Sequence, residues 1–349
     1  MKTVFSSLVI AFSMYSKIPM PRVEWTEENR KYAICFFPLV GLVTGGLCYV
    51  WFLICGHLQA GTLLFSAGMA AIPLFLTGGI HVDGFMDTMD AMHSYLPREE
   101  KLRILKDSHI GAFSVICLLG YYLTYLGWIS ELRSERAVLC FCLGFLLSRI
   151  LSGLSIVYLP GAKKEGLLYA FSSTAHKKTV RLVLFLFLGL CIVGMVLVSP
   201  FAGSLTVIGN FAVFGWYRYD SKKEFGGITG DLAGLFLLCA EWVSAMVPAV
   251  IAFGRGVRFP FAGRRVSPAV WFLRALSGRL LQCQHWAPFP GRTEFPAGHV
   301  LTLPKTQQYK VCLKIHFRHL YASLEGYILV QFGQRSPLRP LIGTKSHKV

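Results

Sequence analysis

The chain has 349 residues, 54% of them hydrophobic and only 15% charged, with a mean hydropathy of +0.53. That composition excludes an ordinary soluble domain, in which about 25% of residues are charged, and reads as a polytopic membrane protein. The net charge of +17 invites a nucleic-acid partner, but residues 252–349 hold 15 of the 35 Lys and Arg and only two acidic residues, Glu294 and Glu325, leaving 20 basic against 16 acidic residues in the body.

Residues 1–15 are apolar but short for a span, and SKIPMPR breaks the run. Lys2 is the only basic residue ahead of it and no small-residue cleavage site follows, so an interfacial or re-entrant segment is expected rather than a signal peptide. Residues 33–55 and 60–80 form a hairpin of two apolar segments, and an acidic stretch, 78–111, comes next. Further apolar runs cover 112–129, 137–159, 182–198, 201–217 and 232–253. With about 20 residues needed to cross a bilayer, the expectation is an all-α, polytopic integral membrane helical bundle of about seven spans. Eight cysteines, Cys35, Cys48, Cys55, Cys117, Cys140, Cys142, Cys191 and Cys239, lie in or beside these runs without metal-ligand spacing and are expected to be reduced.

Alternating spans put four basic regions on one side: Lys17/Arg22/Arg30/Lys31, Arg98/Lys101/Arg103/Lys106, Lys163/Lys164/Lys177/Lys178/Arg181 and Arg218/Lys222/Lys223. The charged connection on the other side, ELRSER, balances two Glu against two Arg. By the positive-inside rule the first side is cytoplasmic, so the acidic stretch, the Lys-rich loop and the GGITGD loop would share one aqueous cytoplasmic face, with lipid around the bundle.

The acidic stretch carries Asp83, Asp87, Asp90 and Asp107. On a helix, positions i, i+4 and i+7 fall within roughly 60°, so Asp83, Asp87 and Asp90 would point the same way. Carboxylates crowded on one face suit a hard divalent cation such as Mg²⁺, which shares its shell with water and substrate phosphates. The competing reading is a solvated acidic helix face. His81 and His109 flank the cluster and could move protons, ligate metal, or simply be satisfied polar residues.

A second signal is Gly226, Gly227, Thr229, Gly230 and Asp231 at the start of the last span. Glycines let backbone N–H groups approach an anion at a helix N-terminus, while Asp231 could hold metal or cap the helix. Lys163 and Lys164 could bind phosphate or merely set topology. Arg149 and Glu241 are charges inside apolar runs: Arg149 could reach toward phosphate, or the two could pair with each other. Together these residues are equipment for transfer at a phosphate or pyrophosphate.

Four blocks, FFPLVGLVTG (36–45), GGIHVDGFMDTMDAM (78–92), KDSHIGAFSV (106–115) and GGITGDLAG (226–234), resemble the cobalamin synthase family, adenosylcobinamide-GDP ribazoletransferase, over about residues 1–253. The resemblance implies an inner-membrane, Mg²⁺-dependent enzyme that joins adenosylcobinamide-GDP to α-ribazole or its 5′-phosphate and releases GMP, the last step of nucleotide-loop assembly in cobalamin. It implies Asp83, Asp87 and Asp90 as metal ligands, with Asp107 or Asp231 as a further ligand or proton acceptor. Substrate binding is expected of His81, Lys106, His109, Arg149, Lys163, Lys164, Gly226, Gly227, Thr229 and Gly230. Nucleic acid is not an expected partner, and self-association into a homo-oligomer is compatible with the reading.

The departure is residues 254–349, which lack Asp and any sustained period and read as an aberrant, frameshift-like or disordered basic tail after a transferase domain at 1–253. Two rivals stand beside the main reading. A CDP-alcohol phosphotransferase would place an Ala-Arg pair where Asp87 and Thr88 stand, and a cation transporter would place its acids on broken helices in paired halves rather than in loops.

Overall fold

The computed structural model describes residues 2–253 apart from 108 and 133. The tail expectations fall on 254–349 and lie outside the described residues. Within the described part, helices α1 (Lys2–Tyr15), α2 (Glu27–Arg30), α3 (Ala33–His57), α4 (Thr62–Thr77), α5 (Ile80–His93) and α6 (Arg98–Ile104) are followed by α7 (Ala112–Ser130), α8 (Glu135–Tyr158), α9 (Leu167–Thr174), α10 (Lys177–Val198), α11 (Pro200–Phe225) and α12 (Gly230–Phe253). Among the described residues the only β feature is a bridge between Gly161 and Ile228. All eight expected cysteines are free.

Among the described residues five helices are long and apolar enough to cross a membrane, α3, α7, α8, α10 and α12, and the bent pair α4–α5 makes a sixth if counted as one span. The difference from about seven has two local causes. Gly78 and Gly79 take φ of 64° and 80°, left-handed backbone that costs glycine nothing, and they turn the chain by 92° between α4 and α5. The run at 201–217 belongs to α11, a 26-residue helix whose second half carries Arg218, Asp220, Lys222, Lys223 and Glu224.

The helix α8 is the central one, with 89% of its apolar window buried, against 17% for α7 and 28% for α10. Leu182, Leu186, Leu190, Val193 and Leu197 stay exposed along α10, the surface a lipid-facing helix presents. Lipid gives helices no hydrophobic reason to associate, so close backbone approach through small residues must hold them together. Gly41 and Gly45 of α3 lie against the Phe145 and Cys142 carbonyls of α8. Gly84 of α5 and Gly234 of α12 let those helices meet backbone to backbone: a Cβ on Gly84 would come within 2.8 Å of the Asp231 Cα, and one on Gly234 within 2.7 Å of the His81 carbonyl oxygen. This contact sets Asp83 beside Asp231.

The two intramembrane charges pair with each other. Arg149 and Glu241 form an ion pair between α8 and α12, with side chains 0% and 6% exposed, and Arg149 also bonds the Ser148 hydroxyl at 3.0 Å. Of the two readings left open by the sequence, the core ion pair is the one observed, and Arg149 does not line the cavity described below. A buried guanidinium is tolerable only with such a partner.

Candidate active site

The basic loops that alternation assigns to one side converge at one end of the bundle. Lys163 Nζ donates to the Leu102 carbonyl at 3.2 Å, Lys101 pairs with Glu224, and Arg98 reaches the Lys223 carbonyl. The His176 N–H donates to the Lys31 carbonyl, tying in the N-terminal loop. These links join the 95–111, 159–176 and 226–229 connections around a cavity of about 440 Å³.

Seven of the anticipated residues line it: His81, Asp83, Lys106, Lys163, Thr229, Gly230 and Asp231. Asp83, Asp87 and Asp90 stand on α5, the helix made by the Gly78–Gly79 turn. Asp83 is exposed at its first turn, and Asp87 is half-buried one turn on. The charges are close enough that Asp83, Asp90 and Asp231 all repel Asp87. Lys163 attracts Asp231 while Asp83 repels it.

At the start of α12 the cap is Thr229, whose Oγ1 accepts the Leu232 N–H at 3.2 Å. Asp231 stands inside the helix start, so the expected alternative of an Asp231 cap gives way to a Thr229 cap. Gly226 ends α11 with φ 79°, and Gly227 lies so close to Pro160 and Ala162 that no side chain fits. Ile228 then donates to the Pro160 carbonyl and accepts from Ala162, bonds of 2.9 Å each. Gly226 and Gly227 therefore brace the loop rather than line the cavity.

Other anticipated residues fall elsewhere. Asp90 accepts from the Gly111 N–H at 2.7 Å and the Ser114 N–H at 2.9 Å, capping α7 with both oxygens. Both of its oxygens are thus engaged by backbone, and Asp90 does not line the cavity. Asp107 and His109 pair with each other outside the cavity, 54% and 90% exposed, each favouring the other's charged form: His109 holds Asp107 below the usual carboxylate range, and Asp107 raises His109. Lys164 is exposed and does not line the cavity. The sequence reading passed over Glu165, which lines the cavity and bonds Lys106 at 2.6 Å; its place beside Lys163 and Lys164 was the available signal. The Lys106 ammonium holds Glu165 below the ordinary carboxylate value, whereas burial lowers Lys163. His81 is buried against Phe37 with no hydrogen-bond partner for Nε2.

The donor set fits Mg²⁺ in one form. Among the described residues no group of three or more His, Cys, Asp or Glu is placed to hold a metal by itself. Mg²⁺ commonly binds through one or two carboxylates with substrate phosphates and water completing its shell, and the oxygen donors Asp83, Asp87 and Asp231, mutually repelling and without a full complement of cations, suit that mode.

A family model described as Cobalamin-5-phosphate synthase matches residues 7–249. Similar proteins named adenosylcobinamide-GDP ribazoletransferase include that of Lachnoclostridium phytofermentans, 43% identical over 258 residues covering 72% of this chain and 97% of the relative. That of Clostridium botulinum strain Eklund 17B is 34% identical, covering 70% and 96%. That of Halalkalibacterium halodurans is 32% identical, covering 67% and 91%. No solved structure matches the chain. With the match running from α1 into α12 and through every residue of the cavity, the chain belongs to the cobalamin-5-phosphate synthase family.

Proposed function

We propose that the chain joins adenosylcobinamide-GDP to α-ribazole or α-ribazole 5′-phosphate and releases GMP, with its cavity facing the cytoplasm from the inner membrane. The observation that carries this reading is one cavity presenting Asp83, Asp231, Lys106 and Lys163 at the N-terminus of α12. Carboxylates, lysines and a helix N-terminus together suit a pyrophosphate and the charge that develops when it is cleaved. At about 440 Å³ the cavity is near the lower end of the 300–1,000 Å³ typical of ligand sites, so it takes the reacting end of the donor and leaves the corrinoid outside.

In the step, the acceptor hydroxyl oxygen bonds the phosphorus attached to cobinamide, the bridging P–O bond breaks, and the electron pair leaves on GMP. Lys106 and Lys163 orient the pyrophosphate oxygens. Two of Asp83, Asp87 and Asp231 would hold Mg²⁺ with the phosphates, and the remaining one accepts the hydroxyl proton. When bound, Mg²⁺ neutralises charge building on the leaving phosphate. Glu165 keeps Lys106 at the mouth of the cavity until phosphate competes for it.

The test is GMP release by detergent-solubilised protein. The expected result is release that needs both substrates and Mg²⁺ and stops on chelation. GMP formed equally fast without the acceptor would mean hydrolysis and would overturn the transferase reading.

A further inference from the structure

A second cavity, of about 530 Å³, opens beside the first between the end of α1 and the α4–α5 turn. Ser13, Ser16, Lys17, Gly78, Gly79 and Met86 line it, and Met14, Ile80 and Asp83 are shared with the first. At about 100° per residue, Val82 and Met86, which face only the second cavity, and His81, which faces only the first, fall to opposite sides of the strip of α5 bearing Ile80, Asp83 and Asp87. Asp83 thus stands on the seam between two chambers.

The second chamber has its own cation. The Lys17 backbone N–H donates to the Leu76 carbonyl at 2.7 Å, and its aliphatic stem lies over Gly78, where any Cβ would collide with it. The Lys17 backbone is therefore tied to the turn, with its stem packed over Gly78, while its ammonium makes no hydrogen bond or ion pair among the described residues. The first cavity offers two lysines and three carboxylates, Asp83, Glu165 and Asp231; the second offers one lysine and the exposed Ser13 hydroxyl, with the shared Asp83 at its edge. The first matches a pyrophosphate and the second a monophosphate.

Phosphoryl transfer places attacking and leaving oxygens roughly in line, so the acceptor must reach the phosphorus from the side away from departing GMP. A chamber meeting the donor cavity at Asp83 provides that approach. We propose that the second cavity is the acceptor subsite and that Lys17 binds the 5′-phosphate of a nucleoside monophosphate acceptor, making it the residue that selects the phosphorylated over the unphosphorylated form. The inference rests on the transferase reading above.

The experiment compares kcat/KM for α-ribazole 5′-phosphate and α-ribazole in the parent, Lys17→Gln and Lys17→Arg. Losing one charge-assisted phosphate contact lowers the preference for the phosphorylated acceptor on the order of 10- to 100-fold in Lys17→Gln, carried mainly by its KM, and Lys17→Arg restores most of it. An unchanged preference, or a larger rise in the KM for adenosylcobinamide-GDP than in that for the acceptor, would overturn the assignment. Calorimetric titration of α-ribazole 5′-phosphate into parent and Lys17→Gln decides the subsite without turnover. Weakened binding in the variant supports it, and equal binding refutes it. A parent that binds the acceptor yet releases no GMP would instead sink the reaction reading.

Discussion

Replacing Gly84 by Ala perturbs the contact that sets Asp83 beside Asp231. The new Cβ would lie 2.8 Å from the Asp231 Cα and 2.9 Å from its carbonyl oxygen, both backbone atoms that cannot swing aside. Ordinary contact begins near 3.4 Å, so α5 and α12 must separate by about 0.6 Å. Overpacking of this kind costs about 1–3 kcal/mol, offset by up to about 1 kcal/mol from the better helix propensity of Ala. The kinetic effect is larger in proportion, because a 1 Å misplacement of catalytic groups costs on the order of 10²-fold. We expect kcat for GMP release to fall about 10-fold or more, with a small loss of thermal stability in detergent. Gly120→Ala is the control, since a Cβ there meets nothing within 4 Å, and it should keep parental turnover. Full activity and stability in Gly84→Ala would refute the close α5–α12 packing on which the site geometry depends.

Three further outcomes follow from particular contacts. Asp90→Ala removes the acceptor of the Gly111 and Ser114 N–H groups and should cost about 1–2 kcal/mol, read as a lower unfolding temperature, whereas a metal ligand would show chiefly in the Mg²⁺ dependence of turnover. Arg149→Met leaves Glu241 buried and unpaired and should destabilise by about 3–5 kcal/mol, while Arg149→Met with Glu241→Leu should recover much of that loss in the same unfolding assay. Burial lowers Lys163 from the ordinary lysine value of 10.5, so its charge is present below the lowered value and is lost as pH rises through it. Donor binding should therefore weaken on an alkaline limb below pH 10.5, and Lys163→Arg should move that limb upward in a pH profile of kcat/KM.

Much of this was legible in the sequence because it rests on local signals. Hydropathy marks the bundle, and the i, i+4, i+7 spacing puts Asp83, Asp87 and Asp90 on one side of a real helix. The charge bias of the loops foretold that 95–111, 159–176 and 226–229 would meet, and hydrogen bonds from Lys163 to Leu102 and from Ile228 to Pro160 join them. What escaped depends on long-range geometry. The Gly78–Gly79 pair reads as a loop, yet its positive φ values convert an apolar hairpin end into a sharp turn that launches α5. Nothing in the residue pattern distinguishes Asp90, committed to the start of α7, from Asp87 one turn earlier. Arg149 and Glu241 are 92 residues apart, so their pairing needed the α8–α12 contact to choose it over a phosphate. Lys17 was legible only as a topology charge, because the chamber it lines exists once α1 docks beside the α4–α5 turn.

The most direct measurement is the turnover of Asp83→Asn and Asp231→Asn, each beside the parent, with adenosylcobinamide-GDP, the acceptor and saturating Mg²⁺. Among the described residues Asp83 makes no hydrogen bond or ion pair, and Asp231 accepts a long hydrogen bond from Thr229 at 3.4 Å and is attracted by Lys163, so both variants should stay close to the parental unfolding temperature. Removing a carboxylate that holds metal or takes the proton predicts a loss of GMP release of about 10²-fold or more in each. Near-parental turnover in either folded variant would contradict a transfer site built at the meeting of α5 and α12.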